Sequence, residues 1–354
     1  MTAMTQAGAW GGGREKEQAG AWGGGRGREQ ADAGSGEFSL LVNQHRAELL
    51  AHCYRLLGSV HDAEDALQEA LVRAWRGYEA FEGRSSERTW LYRIATNTCL
   101  RLLEQRDRRP LPSGIGAPAG SPDEPVPGPA LDVAWLEPFP DALLSQAVPD
   151  PAAVVAARSG LRLAVISALQ CLPVRQRTVF ILRDVLGWRA AEVASLLDAS
   201  VIAVNSALQR AREQLRELSV RPDDAREPAA PADQALLDRY ARAIEDADAP
   251  ALVALLAEDA TFEMPPLPAW FRGRRDIGRF FETRILTAPG KFTLLNVTAN
   301  GQPALAVYRR EEDGTRKAHG IQVFTTAGSR ITGIIAFLDP SLFPLFGQPL
   351  ALPG

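Results

Sequence analysis

Trp90, Arg93, Asn97 and Arg101 recur at steps of three, four and four, a spacing that stacks side chains down one side of a helix. An indole among guanidiniums and an amide suits unstacked nucleic-acid bases, because the ring stacks on a base while arginine meets phosphates. Arg84 and Arg88 lie on the same stretch, 84–109, which holds seven Arg against three acids (Glu87, Glu104, Asp107), locally +4 in a chain of formal charge −4. Asp62, Asp65 and Glu69, with Gln68, crowd a preceding helix. The helix macrodipole accounts for acids in the first turns. It does not account for Asp65, Gln68 and Glu69 forming a continuous polar patch beside a basic one. Further on, Asn205, Ser206, Gln209, Arg210 and Arg212 occupy the outward side of a helix entered through Ser200. There Asn and Gln can read adenine edges.

The elements that must position these groups are helices. From about Ser86 the apolar residues Leu91, Ile94, Ala95, Thr98 and Leu102 form a core-facing stripe opposite Trp90. Before it, Phe38, Leu41, Val42, His45, Leu49, His52 and Cys53 mark one helix face that Gly58 ends. The helix HDAEDALQEALVRAWRGY turns Ala63, Ala66, Leu67, Ala70, Leu71 and Trp75 toward a core. In the later segment WRAAEVASLL is one helix, Asp198-Ala199-Ser200 a turn with Ser200 as N-cap, and 201–218 a second helix. Its inward face is Val201, Val204, Leu208, Ala211 and Leu215. That is a helix-turn-helix, whose second helix enters a major groove.

DAEDALQEALVRAWRG followed by SSERTWLYRIATNTCL resembles regions 2.1–2.4 of bacterial sigma factors of the extracytoplasmic-function, group-four, sigma-70 type, over residues 37–109. The resemblance implies that Asp62, Asp65, Gln68 and Glu69 dock on the β′ coiled coil of core RNA polymerase. It implies that Arg84, Arg88, Trp90, Arg93, Asn97 and Arg101 face the opened −10 promoter element. Residues 152–219 resemble region 4, which implies that Ser200, Asn205, Ser206, Gln209, Arg210 and Arg212 read the −35 element and that this domain meets the β flap. Two departures weaken its phosphate attraction: family members often carry Lys where Asn205 stands and Arg where Ala207 stands.

Between these domains, 110–151 holds eleven prolines, four glycines, six acids and no Lys or Arg. Such sequence builds no core of its own. It is a spacer or a strand that threads a basic channel of the polymerase. Its apolar island WLEPFPDALL is expected to dock on one of the protein's own domains. A second linker spans 220–231. Residues 232–345 read as two helices, then ATFEMPP, a helix carrying Ile277, Phe280, Phe281 and Ile285, and strands over 292–299, 304–311, 319–326 and 330–339. Asp313-Gly314 is a hairpin turn. Helices followed by a curved antiparallel sheet make an α+β cone. It resembles the SnoaL-like (NTF2-like) superfamily through AEDATFEMP and the Trp270–Ile277 signature, and sigma factors with such an appendage are regulated by it in cis.

The expected architecture is therefore multidomain: two all-α domains and a C-terminal α+β cone, followed by a Pro-rich tail, 346–354. The superfamily includes polyketide cyclases and ketosteroid isomerases. In the isomerase branch an Asp precedes the proline of the first strand; Met264 stands there, and a thioether takes no proton. Met264, Trp270, Tyr308 and His319 are the candidate pocket residues, suited to a small apolar ligand rather than catalysis. The alternative is an active cyclase- or isomerase-like enzyme, or a small-molecule sensor, fused to a DNA-binding module.

Composition bounds the rest. At 354 residues, 46% hydrophobic and 23% charged, the chain suits two or three domains. Its mild charge means that nucleic-acid contact comes from local patches. Residues 1–36 contain the repeat AGAWGGGREKEQ, AGAWGGGRGREQ and read as a disordered tail. Cys53, Cys99 and Cys171 have neither metal nor disulfide spacing. No metal or cofactor is expected, no stretch reads as a membrane span, and the expected location is cytoplasmic. Whether a separate anti-sigma protein exists stays open.

Overall fold

The computed structural model describes residues 25–83, 85–104, 108–145, 160–218 and 231–353. The chain divides into two compact units, 1–40 and 41–354. Helix α1 spans Gly25–Leu57, so residues 25–36 are helical where a disordered tail is expected; residues 1–24 of that expectation lie outside the described ones. Extending a formed helix adds a hydrogen bond for each residue fixed, which offsets the glycine content.

In the second unit, residues 41–57 of α1, with α2 (Val60–Tyr78) and α3 (Glu87–Leu103), form the first bundle. Ser59 caps α2 by accepting from the Asp62 amide at 3.1 Å, and Ser86 caps α3 by accepting from the Thr89 amide at 3.2 Å. Each such cap contributes about 1 kcal/mol. The buried face of α2 is Val60, Ala63, Ala66, Leu67, Ala70 and Ala74. Trp75 is not in the core: it is 47% exposed, one step round the helix from Ala74.

The helix-turn-helix domain contains α4 (Leu163–Cys171), α5 (Val174–Phe180) running into a π turn, α6 (Ala190–Leu196) and α7 (Val201–Glu217). The last two cross at 102°. Ser200 is the N-cap of α7, accepting from the Ala203 amide at 3.1 Å. Val201 is exposed rather than inward; Val204, Ala207, Leu208, Ala211 and Leu215 are the buried face.

The cone is built from α8 (Pro231–Glu245), α9 (Ala249–Leu255), α10 (Arg274–Phe280) and a seven-stranded sheet. Its strands are β1 (Leu256–Glu263), β2 (Trp270–Arg272), β3 (Phe292–Ala299), β4 (Gln302–Arg310), β5 (Arg316–Ala327), β6 (Arg330–Phe337) and β7 (Ala351–Leu352). The order is β2-β1-β6-β5-β4-β3, with β7 on β5. The sheet is mixed rather than antiparallel, because β1 and β6 run parallel. The tail belongs to the cone: β7 pairs with β5, and Tyr308 Oη donates to the Pro349 carbonyl at 2.9 Å.

The Pro-rich linker is a strap whose partners lie in two other domains. Trp135, Leu136 and Phe139 are buried. The Glu137 amide donates to the Gly58 carbonyl at 3.0 Å, the Ala119 amide to Trp270 O at 2.8 Å and the Ala130 amide to Pro266 O at 3.0 Å. The two helical domains also touch each other. Arg177, 2% exposed, donates to the Leu56 carbonyl ending α1 at 2.6 Å and to Gln170 Oε1 at 2.7 Å. Gly58 (φ 71°) lies under Gln170, where a Cβ would come within 2.9 Å of the amide carbon, so only glycine fits.

Candidate nucleic-acid interface

Helix α3 buries Leu91, Tyr92, Ala95, Thr96, Thr98, Cys99 and Leu103 and leaves Arg88, Arg93, Asn97 and Arg101 exposed. Trp90 is half-buried, its ring 5.0 Å from that of Phe81 and 6.3 Å from that of Tyr78. The indole is thus supported from behind and reachable from outside, as a base-stacking platform requires. Arg88 makes a two-pronged contact with Glu48, Nε at 3.0 Å and Nη2 at 2.6 Å. Burial raises the Glu48 carboxyl, but hydrogen bonds from His45 and Arg88 outweigh it and hold the pKa at about 2. Arg101 pairs with Glu69, which also takes Arg73 at 2.9 Å. Among the described residues, Arg93 and Asn97 are the members of this row given no side-chain partner. Arg84 lies outside the described residues.

On α2, Asp65 and Gln68 are exposed, and Val72 and Trp75 (50% and 47% exposed) continue the same face. Residues 65, 68, 72 and 75 follow the three-and-four spacing of one helical stripe. Asp62 is differently placed: its carboxylate pairs with Arg109, each side chain 13% exposed. The expected docking set therefore divides into an open pair, Asp65 and Gln68, and a pair, Asp62 and Glu69, engaged within the bundle. Sequence reasoning missed the apolar half of the stripe, because Trp75 was assigned to the core.

On α7, Asn205, Gln209, Arg210 and Arg212 are exposed, while Ser206 is half-buried and Ser200 exposed at the cap. Arg212 is held by Asp184, Nε to Oδ2 and Nη2 to Oδ1, both at 2.7 Å. Ala207 is buried, on the inward side of α7 with Val204, Leu208 and Ala211. A helix whose outward side offers Asn, Gln and Arg can meet base edges and phosphates together.

Behind these surfaces lies a junction that the motifs do not announce. Asn300 and Gly301 form the β3–β4 turn with φ of 58° and 65°, and Asn300 is fully buried. Its Oδ1 accepts from the Phe139 amide of the linker at 2.8 Å. Its Nδ2 donates to Tyr54 Oη of α1 at 2.9 Å and to the Leu161 carbonyl ahead of α4 at 2.6 Å. One side chain of the cone thus bonds the first bundle, the linker and the helix-turn-helix domain. Nearby, Glu137 accepts from Ser59 Oγ at 2.8 Å and meets His61 Nδ1 at 3.0 Å. Gln302 Oε1 accepts from the Leu163 amide at 2.9 Å.

Inside the cone, Met264 and His319 line an apolar cavity of about 240 Å³ together with Phe262, Phe281, Phe292 and Val307. The other two candidates do not reach it. Trp270 lies across β2 from inward-facing Phe271 and donates to the linker's Gly116 carbonyl at 2.9 Å. Tyr308 follows inward-facing Val307 and turns to the tail. Alternation along each strand sends neighbours to opposite faces. Glu263 likewise faces out, accepting from the Ser113 amide at 2.9 Å.

Three family descriptions match the chain: Sigma-70 region 2 over residues 41–109, Sigma-70 region 4 over 162–215, and the SnoaL-like domain over 237–334. The chain is 48% identical to the ECF RNA polymerase sigma factor SigG of Mycobacterium tuberculosis, over 90% of this chain and 85% of that protein. It is 31% identical to the ECF RNA polymerase sigma-E factor of Escherichia coli K12, over 50% of this chain and 84% of that one. Among solved structures it resembles the extracytoplasmic-function sigma factor SigJ of Mycobacterium tuberculosis, with a TM-score of 0.56 and 25% identity over 89% of this chain and 99% of that one.

Proposed function

The chain belongs to the ECF RNA polymerase sigma factors, and from that premise we propose that its closed arrangement is a resting state held in cis by the SnoaL-like domain. The observation that carries this is Asn300, whose amide bonds Tyr54, Phe139 and Leu161 at once. Promoter recognition by two separate domains needs them far apart: about 25 base pairs between −10 and −35 elements is on the order of 80 Å of duplex. Here the Tyr92 and Trp188 rings of the two domains are 6.0 Å apart, and a helix such as α3 is only about 25 Å long. Two domains in such contact reach one element or the other, not both.

In this reading Asp65 and Gln68, flanked by Val72 and Trp75, dock on the core polymerase, and Asp62 and Glu69 join them once Arg109 and Arg101 turn to other partners. Trp90 takes an unstacked base while Arg84, Arg88, Arg93, Asn97 and Arg101 follow the opened strand. Ser200, Asn205, Ser206, Gln209, Arg210 and Arg212 read the upstream element. The work is done where polymerase and promoter are, in the cytoplasm. The cone is a regulator without catalysis: among the described residues, its cavity is lined by no carboxylate to act as a base, and His319 is its one ionisable group. Run-off transcription with core polymerase tests the whole. The full chain is expected to direct initiation at a cognate promoter, and deletion of residues 232–354 to change its output or promoter choice. Identical output from both removes cis regulation.

A further inference from the structure

Strand β5 carries a bulge at His319: Val307 pairs with Gly320 but Tyr308 with Ala318, leaving residue 319 unpaired. In a regular strand His319 and Gln322 would face opposite sides. The extra residue changes the phase, so both line the cone's cavity. Gly320 fixes the bulge, since a Cβ there would lie 2.6 Å from the Phe337 carbonyl. Burial, aided by Arg309 and Lys291, pushes the His319 imidazole down to about 4, so it is neutral near pH 7. Its ring nitrogens have no partner among the described residues. Gln322 accepts from Tyr240 Oη at 3.0 Å through Oε1, and its amide NH₂ has no partner among the described residues. The remaining wall is apolar, and part of it comes from outside the cone: Val126 of the linker strap closes one side. The strap is held on either side of Val126, by Arg284 Nη2 donating to the Asp123 carbonyl at 2.9 Å and by the Ala130 amide on Pro266.

We propose that this chamber binds a neutral, mainly apolar molecule of one to two rings with a single hydrogen-bonding group, seated between His319, Gln322 and Val126, and that its occupancy tightens the linker on the cone. A dry cavity of about 150 Å³ holds benzene and drug-sized pockets begin at about 300 Å³, so 240 Å³ suits a bicycle. Because the cavity exists with Val126 in place, a ligand of that size needs no displaced strap. It gains contact with Val126 only in the strapped conformation, and a ligand favours the state it binds better. This deepens the regulatory reading and rests on it for its biological consequence alone.

The test uses the full chain with 2-naphthol and naphthalene as probes, read by calorimetry and by hydrogen exchange of residues 117–130. Saturable one-to-one binding of 2-naphthol is expected, with slower exchange of the strap. Val126→Ala should weaken it about threefold to tenfold, for lost apolar contact. His319→Leu should erase the preference for 2-naphthol over naphthalene while still binding naphthalene, so a misfolded variant is recognised by loss of both. Ala336→Phe should fill the chamber and abolish binding. Absence of saturable binding to the wild type, binding unaffected by Ala336→Phe in a folded variant, or faster strap exchange with ligand would each overturn the proposal. None of these readouts involves transcription, so the regulatory reading stands or falls separately.

Discussion

Replacing Asn300 with glycine isolates the junction from the cone that presents it. Glycine adopts the positive φ of 58° without strain, so the β3–β4 turn keeps its shape. The three side-chain hydrogen bonds all leave the cone, for Phe139, Tyr54 and Leu161, so their loss acts on docking rather than on the cone's own fold. At about 1 kcal/mol for each, the closed state loses about 3 kcal/mol, or roughly a hundredfold in the open-to-closed ratio. Leaving the Phe139 amide buried without an acceptor would add to this. The assay is hydrogen exchange at the Phe139 amide with the radius of gyration from solution scattering, followed by run-off transcription at limiting sigma. Faster exchange at Phe139, a larger radius and initiation at lower concentration are expected, with cone amides such as those of β4 unchanged. Unaltered exchange and radius, in a variant with the wild-type melting temperature, would refute the claim that this amide holds the domains together.

Three other outcomes follow from the same geometry. Asp65→Ala combined with Trp75→Ala should weaken co-purification with core polymerase at least tenfold, since an exposed aromatic beside a carboxylate has the character of a binding hot spot, while leaving the melting temperature within about 2 °C because neither side chain is buried. Trp90→Ala should impair opening of duplex promoters, measured by permanganate footprinting, more than binding to a pre-melted template, with a loss of about 1–3 kcal/mol per stacked base. The His61–Glu137 contact should respond to pH. A hydrogen bond to Glu137 raises the His61 pKa, and Asp339 and Asp62 add to it. A raised histidine stabilises the folded state fully below its ordinary value of about 6.5, and that contribution is lost as pH rises through the raised value. The protection factor of the Glu137 amide, its exchange rate corrected for the intrinsic pH dependence, should therefore fall across that window in the wild type and lose that fall in His61→Gln.

Much of the helical half was readable in the chain because three-and-four spacing reports a buried stripe directly: Leu91, Ala95 and Thr98 are buried as expected, and Ser200 caps α7. Trp75 was misassigned because the core face of α2 is largely alanine, which gives a weaker signal than the large aromatic beside it. The cone's strands were readable from alternation, whereas the parallel pairing of β1 with β6 joins residues as far apart as Leu256 and Ile331, beyond any local pattern. The bulge at His319 has one trace in the chain, the isolated Gly320 beside it, which does not say that residue 319 is the one left unpaired. Least visible was the junction. Asn300-Gly301 sits between two readable strands, but its partners Tyr54, Phe139 and Leu161 lie 246, 161 and 139 residues away. The linker was legible in part. Its apolar island is expected to dock on the protein's own domains, and Trp135, Leu136 and Phe139 are buried, but nothing in its composition says that two different domains supply the contacts.

Because the clamp on the two helical domains is part of the same polypeptide, its strength is not set by how many copies the cell makes. An intramolecular contact works at an effective concentration that can reach millimolar values, so a modest interface suffices and dilution does not undo it. A separate inhibitor must be matched to its target in amount and destroyed to free it; the regulator proposed here is made one-for-one and would stay attached on letting go. On that proposal release is reversible without synthesis or proteolysis, with a return to the closed arrangement once the protein leaves the promoter.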